Sequence, residues 1–266
     1  MTTTRGTRRS RLLGSLVLTV LLVLGSSAAA AAPREPVGYD ALGDSYAAGW
    51  GVPPYDAFGR SESAYPVQID GRMRLDLDDF VAVPGATTQT ILVQLAALDA
   101  STDLVTLSIG GNDVDWGTAV SACLGGTDLQ CAAAVGYVNG LISTALPGLL
   151  DPVYEQVEAR APTAHVVITG YPRLFSPEFG DYYGASTGEQ EALNDTADLL
   201  NTVIATAAAE YGFQFVDVTS RFVGHGANAP AAWILGPGDA SFHPNLHGYR
   251  AYAAALTSQI TPTSLQ

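Results

Sequence analysis

The chain has 266 residues, of which 47% are hydrophobic, and it carries a formal net charge of −14 with no lysine. This length is sufficient for one sizeable domain with a hydrophobic core. The acidic balance argues against binding to nucleic acid or anionic lipid headgroups, because both need clustered Lys and Arg.

The first 32 residues have the pattern of a secretory signal peptide. Residues 1–11 carry four arginines and no acidic residue, an uncharged stretch of 14 residues follows from Leu12 to Gly25, and an alanine run leads to Ala32. The stretch is short for a membrane span, and small residues suit the peptidase that removes a leader. We expect secretion after cleavage near Ala32, by the general or the twin-arginine route, without stable membrane anchoring. Loss of the four arginines takes the formal charge from −14 to −18.

Residues 33–266 are expected to form a single domain in which short apolar runs alternate with helical patterns. Strands are predicted at 37–43, 80–85, 103–110, 165–171 and 213–219. Helices are predicted at 87–98, within 131–160, at 189–211 and at 246–260, with surface loops at 50–60 and 222–244. This alternation predicts an α/β fold, a three-layer sandwich with a five-stranded, mostly parallel sheet.

Four chemically complementary residues follow four of these strands. Ser45 follows the first strand in ALGDSYAAG, Gly85 ends the second in VPGATT, Asn112 follows the third in SIGGND, and His243 lies in DASFHPNLHGY after the fifth. Each alone has a structural explanation as a helix cap, a turn residue or a packed histidine. The carboxyl ends of parallel strands share one edge of a sheet, so the four are expected to converge there.

The only cysteines, Cys123 and Cys131, lie in CLGGTDLQC. An exported chain meets an oxidising compartment, which favours a local disulfide. A metal site would require further ligands nearby, and none is evident.

The motifs GDSYAAG, the glycine of VPGATT, GGND and FHPN, in this order, resemble the four blocks of the GDSL (SGNH) hydrolases, in particular the secreted bacterial lipase/esterase branch. The resemblance implies a flavodoxin-like fold and a carboxylic ester hydrolase without cofactor or metal. It also implies that Ser45 is the nucleophile and His243 the base. The Ser45 N–H, the Gly85 N–H and the Asn112 side chain would form the oxyanion hole.

The sequence departs from the family pattern beside the histidine. Family members commonly have D-x-x-H, whereas Ala240 occupies the acidic position here and Asp239 lies one residue too early. The first hypothesis is that the backbone carbonyl of Ala240, or a neighbouring one, orients His243. The second is that Asp239 reaches the imidazole through an altered loop.

Two other motifs offer weaker alternatives. Gly184 to Gly188 matches G-x-S-x-G, but a loop precedes it instead of a strand, and Ser186 with Glu189 is better explained as a helix capping box. His243 and His247 have the spacing of a zinc pair, without the glutamate of that motif or a third ligand.

The substrate prediction is a small-molecule or lipid ester with a short- to medium-length acyl chain, bound by a monomer. Aromatic residues expected near the mouth of the site are Tyr46, Trp50, Trp116, Trp233 and Phe242. A carbohydrate deacetylase of the acetyl-xylan type, or a catalytically silent extracellular binding module, remains the alternative.

Overall fold

The computed structural model describes residues 1–4, 6, 35–260 and 265, so the predicted signal peptide lies largely outside the described residues. Five parallel strands form one sheet in the order β2-β1-β3-β4-β5. They are β1 (Val37–Gly43), β2 (Leu75–Phe80), β3 (Leu104–Ser108), β4 (His165–Thr169) and β5 (Gln214–Val216). This is the flavodoxin-like strand order, and it confirms the predicted α/β class.

The central strand shows that both faces of the sheet are covered. All five residues of β3 are buried, although successive side chains of a strand point to opposite faces. A parallel sheet with both faces covered requires near-continuous apolar strands, which explains why runs such as LVTLS and HVVIT are recognisable in the sequence.

Seven α-helices surround the sheet in the described part of the chain. They are α1 (Ser45–Ala48), α2 (Tyr65–Ile69), α3 (Trp116–Gly125), α4 (Asp128–Thr144), α5 (Leu146–Arg160), α6 (Thr187–Glu210) and α7 (Leu246–Gln259). Helix α2 packs against α7, whereas α6 packs against both α4 and α5. The predicted helices within 131–160, at 189–211 and at 246–260 correspond to α4 with α5, to α6 and to α7.

The second strand lies earlier than predicted. The strand expected at 80–85 is Leu75–Phe80 in the structure, with the sequence LDLDDF. It is an edge strand with several exposed acidic residues, so it lacks the apolar pattern of a buried strand. The apolar residues beyond it still bond to β1, because the N–H groups of Val81 and Val83 donate to the carbonyls of Ala41 and Gly43.

Two helical regions also differ from expectation. The helix predicted at 87–98 is a 3₁₀ helix, Thr90–Ala97, and α3 was not predicted. The predicted disulfide is confirmed: Cys123 of α3 is bonded to Cys131 of α4, and both are buried. No single helix among the described residues is long and apolar enough to cross a membrane; α4 and α5 meet that test only as a pair bent by 43°.

Candidate active site

The end of β1 places Ser45 at the carboxyl edge of the sheet. Gly43 has φ +140°, and a Cβ at this position would lie 2.7 Å from the carbonyl oxygen of Ser108, so only glycine fits the turn. The buried side chain of Gln94 completes the backbone pairing of Gly43, accepting from its N–H at 2.8 Å and donating to its carbonyl at 3.0 Å. Ser45 therefore begins α1 from a fixed turn.

The neighbouring carboxylate, Asp44, is buried and hydrogen-bonded to its own loop, to β3 and to the segment after β4. It accepts hydrogen bonds from the Tyr46 N–H at 2.9 Å, the Ser108 hydroxyl at 3.0 Å and the Tyr171 hydroxyl at 2.6 Å. Burial raises the pKa of Asp44 to about 6, although the bonds from Tyr171, Tyr46 and Ser108 lower it. Asp44 makes no hydrogen bond to His243 within the described chain, so it holds the Ser45 loop in place rather than orienting the imidazole.

Ser45 and His243 meet across the sheet edge, as the sequence predicts. The Nε2 atom of His243 lies 2.7 Å from the Oγ atom of Ser45. Burial lowers the pKa of His243, while the carbonyls of Ser241 and Ala240 raise it. A largely neutral imidazole within hydrogen-bond distance of a hydroxyl is the geometry that general-base activation of a nucleophile requires.

A backbone carbonyl, and not a carboxylate, faces the other nitrogen of the imidazole. The Nδ1 atom of His243 lies 2.9 Å from the carbonyl oxygen of Ser241, one residue beyond the Ala240 carbonyl of the first hypothesis. The Ala240 carbonyl instead accepts the backbone N–H of His243 at 3.3 Å. Asp239 is exposed and forms no hydrogen bond with His243 in the described chain. The partner is therefore a neighbouring carbonyl.

A strained turn brings that carbonyl to the ring. Phe242, between Ser241 and His243, has φ +60°, which bulky residues rarely adopt. The Tyr46 hydroxyl donates to the Phe242 carbonyl at 2.7 Å, and the Tyr46 ring lies 5.1 Å from that of His243. The residue after the serine thus secures the loop that carries the histidine.

The loops after β2 and β3 hold Gly85 and Asn112 beside each other. The Asn112 Nδ2 group donates to the carbonyl of Ala86 at 2.9 Å, and the N–H of Thr88 donates to both carboxylate oxygens of Asp113, at 3.0 and 3.1 Å. Within the described chain, the N–H groups of Ser45 and Gly85 have no acceptor. A free backbone N–H beside a reactive hydroxyl, as at Ser45, can stabilise a developing oxyanion.

A cavity of about 730 Å³ opens beside the Ser45 and His243 pair. Apolar side chains from α3, α6 and the loops after β4 and β5 line it, including Trp116, Val120, Leu124, Leu174, Leu200 and Phe242. Tyr46 also lines it, whereas Trp50 stacks on Tyr55 and Trp233 stacks on His225. Three of the five aromatic residues expected near the mouth are therefore at the cavity.

The remaining motifs have other roles. The Ser186 side chain accepts the Glu189 N–H and the Glu189 carboxylate accepts the Ser186 N–H, forming the predicted capping box of α6. His247 lies on the first turn of α7, where its N–H donates to the Asn245 side chain that caps the helix. No group of three or more metal-ligating side chains is found among the described residues.

Sequence reasoning missed Tyr171. Its hydroxyl accepts the Gly111 N–H at 3.1 Å and donates to Asp44, so it joins the loop of Asn112 to the loop of Ser45. The available signal was its position at the carboxyl end of the fourth predicted strand, the sheet edge where the site was expected.

The flavodoxin-like fold and the Ser45–His243 pair are those of a carboxylic ester hydrolase, and comparison with known proteins supports this class. Residues 41–251 match the model of the GDSL-like lipase/acylhydrolase family. A lipase of Streptomyces rimosus is 36% identical over 96% of this chain and 99% of its own. Lipase 1 of Streptomyces coelicolor is 37% identical over 91% of this chain and 95% of its own. The chain belongs to the GDSL-like lipase/acylhydrolase family.

Solved structures agree with this assignment. Phospholipase A1 from Streptomyces albidoflavus superposes with a TM-score of 0.80 and 36% identity, covering 85% of this chain and 100% of that one. The extracellular lipase from Streptomyces rimosus gives a TM-score of 0.78 and 35% identity, over 84% and 100% of the two chains. An acetylxylan esterase from Geobacillus stearothermophilus, at 18% identity and a TM-score of 0.52 over 86% and 96% of the chains, shares the fold.

Proposed function

We propose that the chain hydrolyses its esters through a Ser45–His243 dyad and an acyl-enzyme. The main support for this mechanism is the distance of 2.7 Å between the Oγ atom of Ser45 and the Nε2 atom of His243. His243 takes the hydroxyl proton as Ser45 attacks the ester carbonyl, and then protonates the departing alcohol. A water molecule then attacks the acyl-enzyme while His243 takes its proton, and His243 returns that proton to Ser45 as the acid is released. The Ser241 carbonyl fixes the tautomer that leaves Nε2 free to accept the proton.

The oxyanion is proposed to form among the N–H groups of Ser45 and Gly85 and the side chain of Asn112. The two N–H groups are without acceptors in the described chain, and the Asn112 amide keeps one N–H beyond the one given to Ala86. Such donors need no reorganisation during the reaction, and removing one typically costs about 3–4 kcal/mol of transition-state stabilisation.

The substrate class is proposed to be esters of short- to medium-length acyl chains, including lipid esters. The size of the cavity, about 730 Å³, is within the range of small-molecule sites, and its walls from α3 and α6 are apolar. Relatives named lipase and phospholipase A1 support the inclusion of lipids. The cavity also has polar side chains in its lining, among them Asn112, Asp115 and Ser121, so the acetylated-sugar alternative is separated from acyl esters by the assay below.

The enzyme is proposed to act outside the cell as a monomer without a membrane anchor. Support for secretion comes from the signal-peptide pattern of residues 1–32 and from the relative described as an extracellular lipase.

Hydrolysis of p-nitrophenyl esters from acetate to palmitate, by wild type and Ser45→Ala, tests the function. We expect one preferred chain length and loss of at least about 10³-fold in kcat on substitution. Ser186→Ala is the matched control, since Ser186 caps α6, and it should keep wild-type rates. Activity that survives in Ser45→Ala would exclude the mechanism, and turnover of acetyl-xylan alone would exclude the substrate class.

A further inference from the structure

A two-residue hairpin turn lies at the mouth of the cavity. Tyr182 and Ala185 exchange backbone hydrogen bonds of 2.9 and 3.0 Å across it. The central residues both have positive φ, +49° at Tyr183 and +93° at Gly184, which is the signature of a type I′ turn. Asn, Asp and Gly are favoured at the first central position, because a bulky side chain is strained in the left-handed region. Here the position holds tyrosine.

Tyr183 is also largely exposed to solvent, although it lies beside an apolar cavity. It lines the cavity, yet its side chain is 67% exposed. The neighbouring Tyr182 ring contacts it edge-on, with 4.7 Å between centroids. The chain thus carries an unfavourable backbone conformation and an unburied aromatic ring at one residue. Strain of this kind tends to concentrate at functional positions.

Buried polar groups hold the base of the turn. The fully buried Gln190 donates from Nε2 to the carbonyls of Gly180 at 2.9 Å and Ala185 at 3.1 Å. Asn228 in turn donates to Gln190 Oε1 at 2.9 Å and to the Gly180 carbonyl at 3.2 Å. A satisfied buried network of this kind is rigid, so the hairpin is fixed relative to α6.

The tip of the turn is fixed on its other side as well. A Cβ at Gly184 would lie 2.9 Å from the carbonyl oxygen of Leu124, so the turn packs closely against α3. Leu124 lines the cavity. The Tyr183 ring is therefore presented at a set place beside the entrance.

We propose that Tyr183 is an interfacial specificity residue, whose ring contacts the surface of an aggregated, uncharged or zwitterionic lipid ester while the acyl chain enters the cavity. This rests on the proposed function. A tyrosine ring has an apolar body and a polar tip, which suits the boundary between water and lipid. An anionic surface is disfavoured, because Glu178, Asp181 and Glu189 are close by in sequence and the chain has no lysine.

Tributyrin, measured dissolved and then as an emulsion above its solubility limit, tests the proposal with a single ester. The measured quantity is the ratio of the emulsion rate to the dissolved rate. We expect Tyr183→Asn to lower this ratio at least fivefold and Tyr183→Trp to preserve it. Asparagine is favoured at this turn position, so the variant should keep the thermal stability of the wild type. Tyr137→Asn is the matched control, because Tyr137 is 58% exposed on α4 and does not line the cavity.

An unchanged ratio, or an equal fall with Tyr137→Asn, would overturn the proposal. So would an equal loss on both forms of the substrate, since that would make Tyr183 an ordinary wall of the cavity.

Binding supplies a readout independent of turnover. Ser45→Ala should cosediment with phosphatidylcholine vesicles, and adding Tyr183→Asn should weaken that binding at least threefold; equal binding would contradict the proposal. A wild type inactive on dissolved tributyrin would count against the proposed function alone, and vesicle binding would still decide the role of Tyr183.

Discussion

Among single residues, His243 is oriented by a backbone carbonyl, in the place that a carboxylate would otherwise take. Phe242 at φ +60° allows the carbonyl of Ser241 to reach Nδ1 of His243. A carbonyl orients the ring and fixes its tautomer, but it provides no negative charge for the imidazolium that forms during attack. Burial also lowers the pKa of His243, which favours the neutral form of the base at neutral pH.

This arrangement predicts that Asp239 is dispensable. Its side chain is exposed and has no hydrogen bond with His243 in the described chain, so Asp239→Asn should change kcat/KM by less than about twofold. The acid limb of the pH profile should lie below about 6.5 in both proteins, because activity requires neutral His243 and burial lowers its pKa. Steady-state kinetics from pH 4 to 9 measure both. A loss of a hundredfold or more would restore Asp239 as the orienting acid.

The Tyr46 hydroxyl is predicted to contribute to catalysis by holding the loop that carries His243. Tyr46→Phe removes the hydrogen bond to the Phe242 carbonyl but keeps the ring, so kcat should fall about tenfold with little change in KM. The acid limb should also move to lower pH. The Ser241 carbonyl raises the pKa of His243, and a looser turn weakens that contact. A changed KM with an unmoved limb would show that the hydroxyl serves substrate binding instead.

At the scale of secondary-structure elements, the sequence predicted the buried strands better than the exposed one. β1 lies at the predicted positions, 37–43. The strands predicted at 103–110 and 165–171 are shorter in the structure than in the prediction. β2 was misplaced because the prediction rested on the apolar run that follows it, whereas the alternating LDLD of LDLDDF is the pattern of a half-exposed edge strand paired with β1.

The disulfide belongs to this scale, since it joins α3 to α4 beside the cavity. Closing a loop with a sequence separation of 8 is expected to stabilise the fold by about 2–3 kcal/mol. Replacing Cys123 and Cys131 together by alanine should lower the free energy of unfolding by that amount. Because Val120 and Leu124 of α3 line the cavity, KM should rise for octanoate more than for acetate esters. Urea denaturation and the ester series measure the two effects. An unchanged KM for octanoate would mean that α3 holds its position without the bond.

At the scale of the whole molecule, the parallel sheet explains why the site could be predicted at all. Ser45 and His243 are 198 residues apart in sequence, and they meet because both follow strands that end at one edge. The sequence was enough to predict both residues as the reacting pair and to place them at the same edge of the sheet. The Ser241 carbonyl, Tyr171 and the hairpin of Tyr183 could not be predicted, because they depend on backbone angles and on contacts between distant loops.

The acidic surface predicts a response to salt. Residues 33–266 carry a formal charge of −18, and such a charge destabilises the compact state by self-repulsion. Raising NaCl from 0.02 to 0.5 M at pH 8 should increase Tm by a few degrees, because salt screens exposed charges. Scanning calorimetry of that chain measures the shift. A fall in Tm would show that favourable ion pairs outweigh the repulsion.

Labelling with an alkyl phosphonate ester tests whether Ser45 forms a covalent intermediate. Peptide mapping by mass spectrometry should find one adduct, on the peptide that contains Ser45, with activity lost in proportion to labelling. Ser45→Ala should remain unlabelled, and His243→Ala should label at least about a hundredfold more slowly, because the hydroxyl is activated by the imidazole. An adduct on Ser186 or another serine, or full activity in a protein labelled at Ser45, would contradict a nucleophilic role for Ser45.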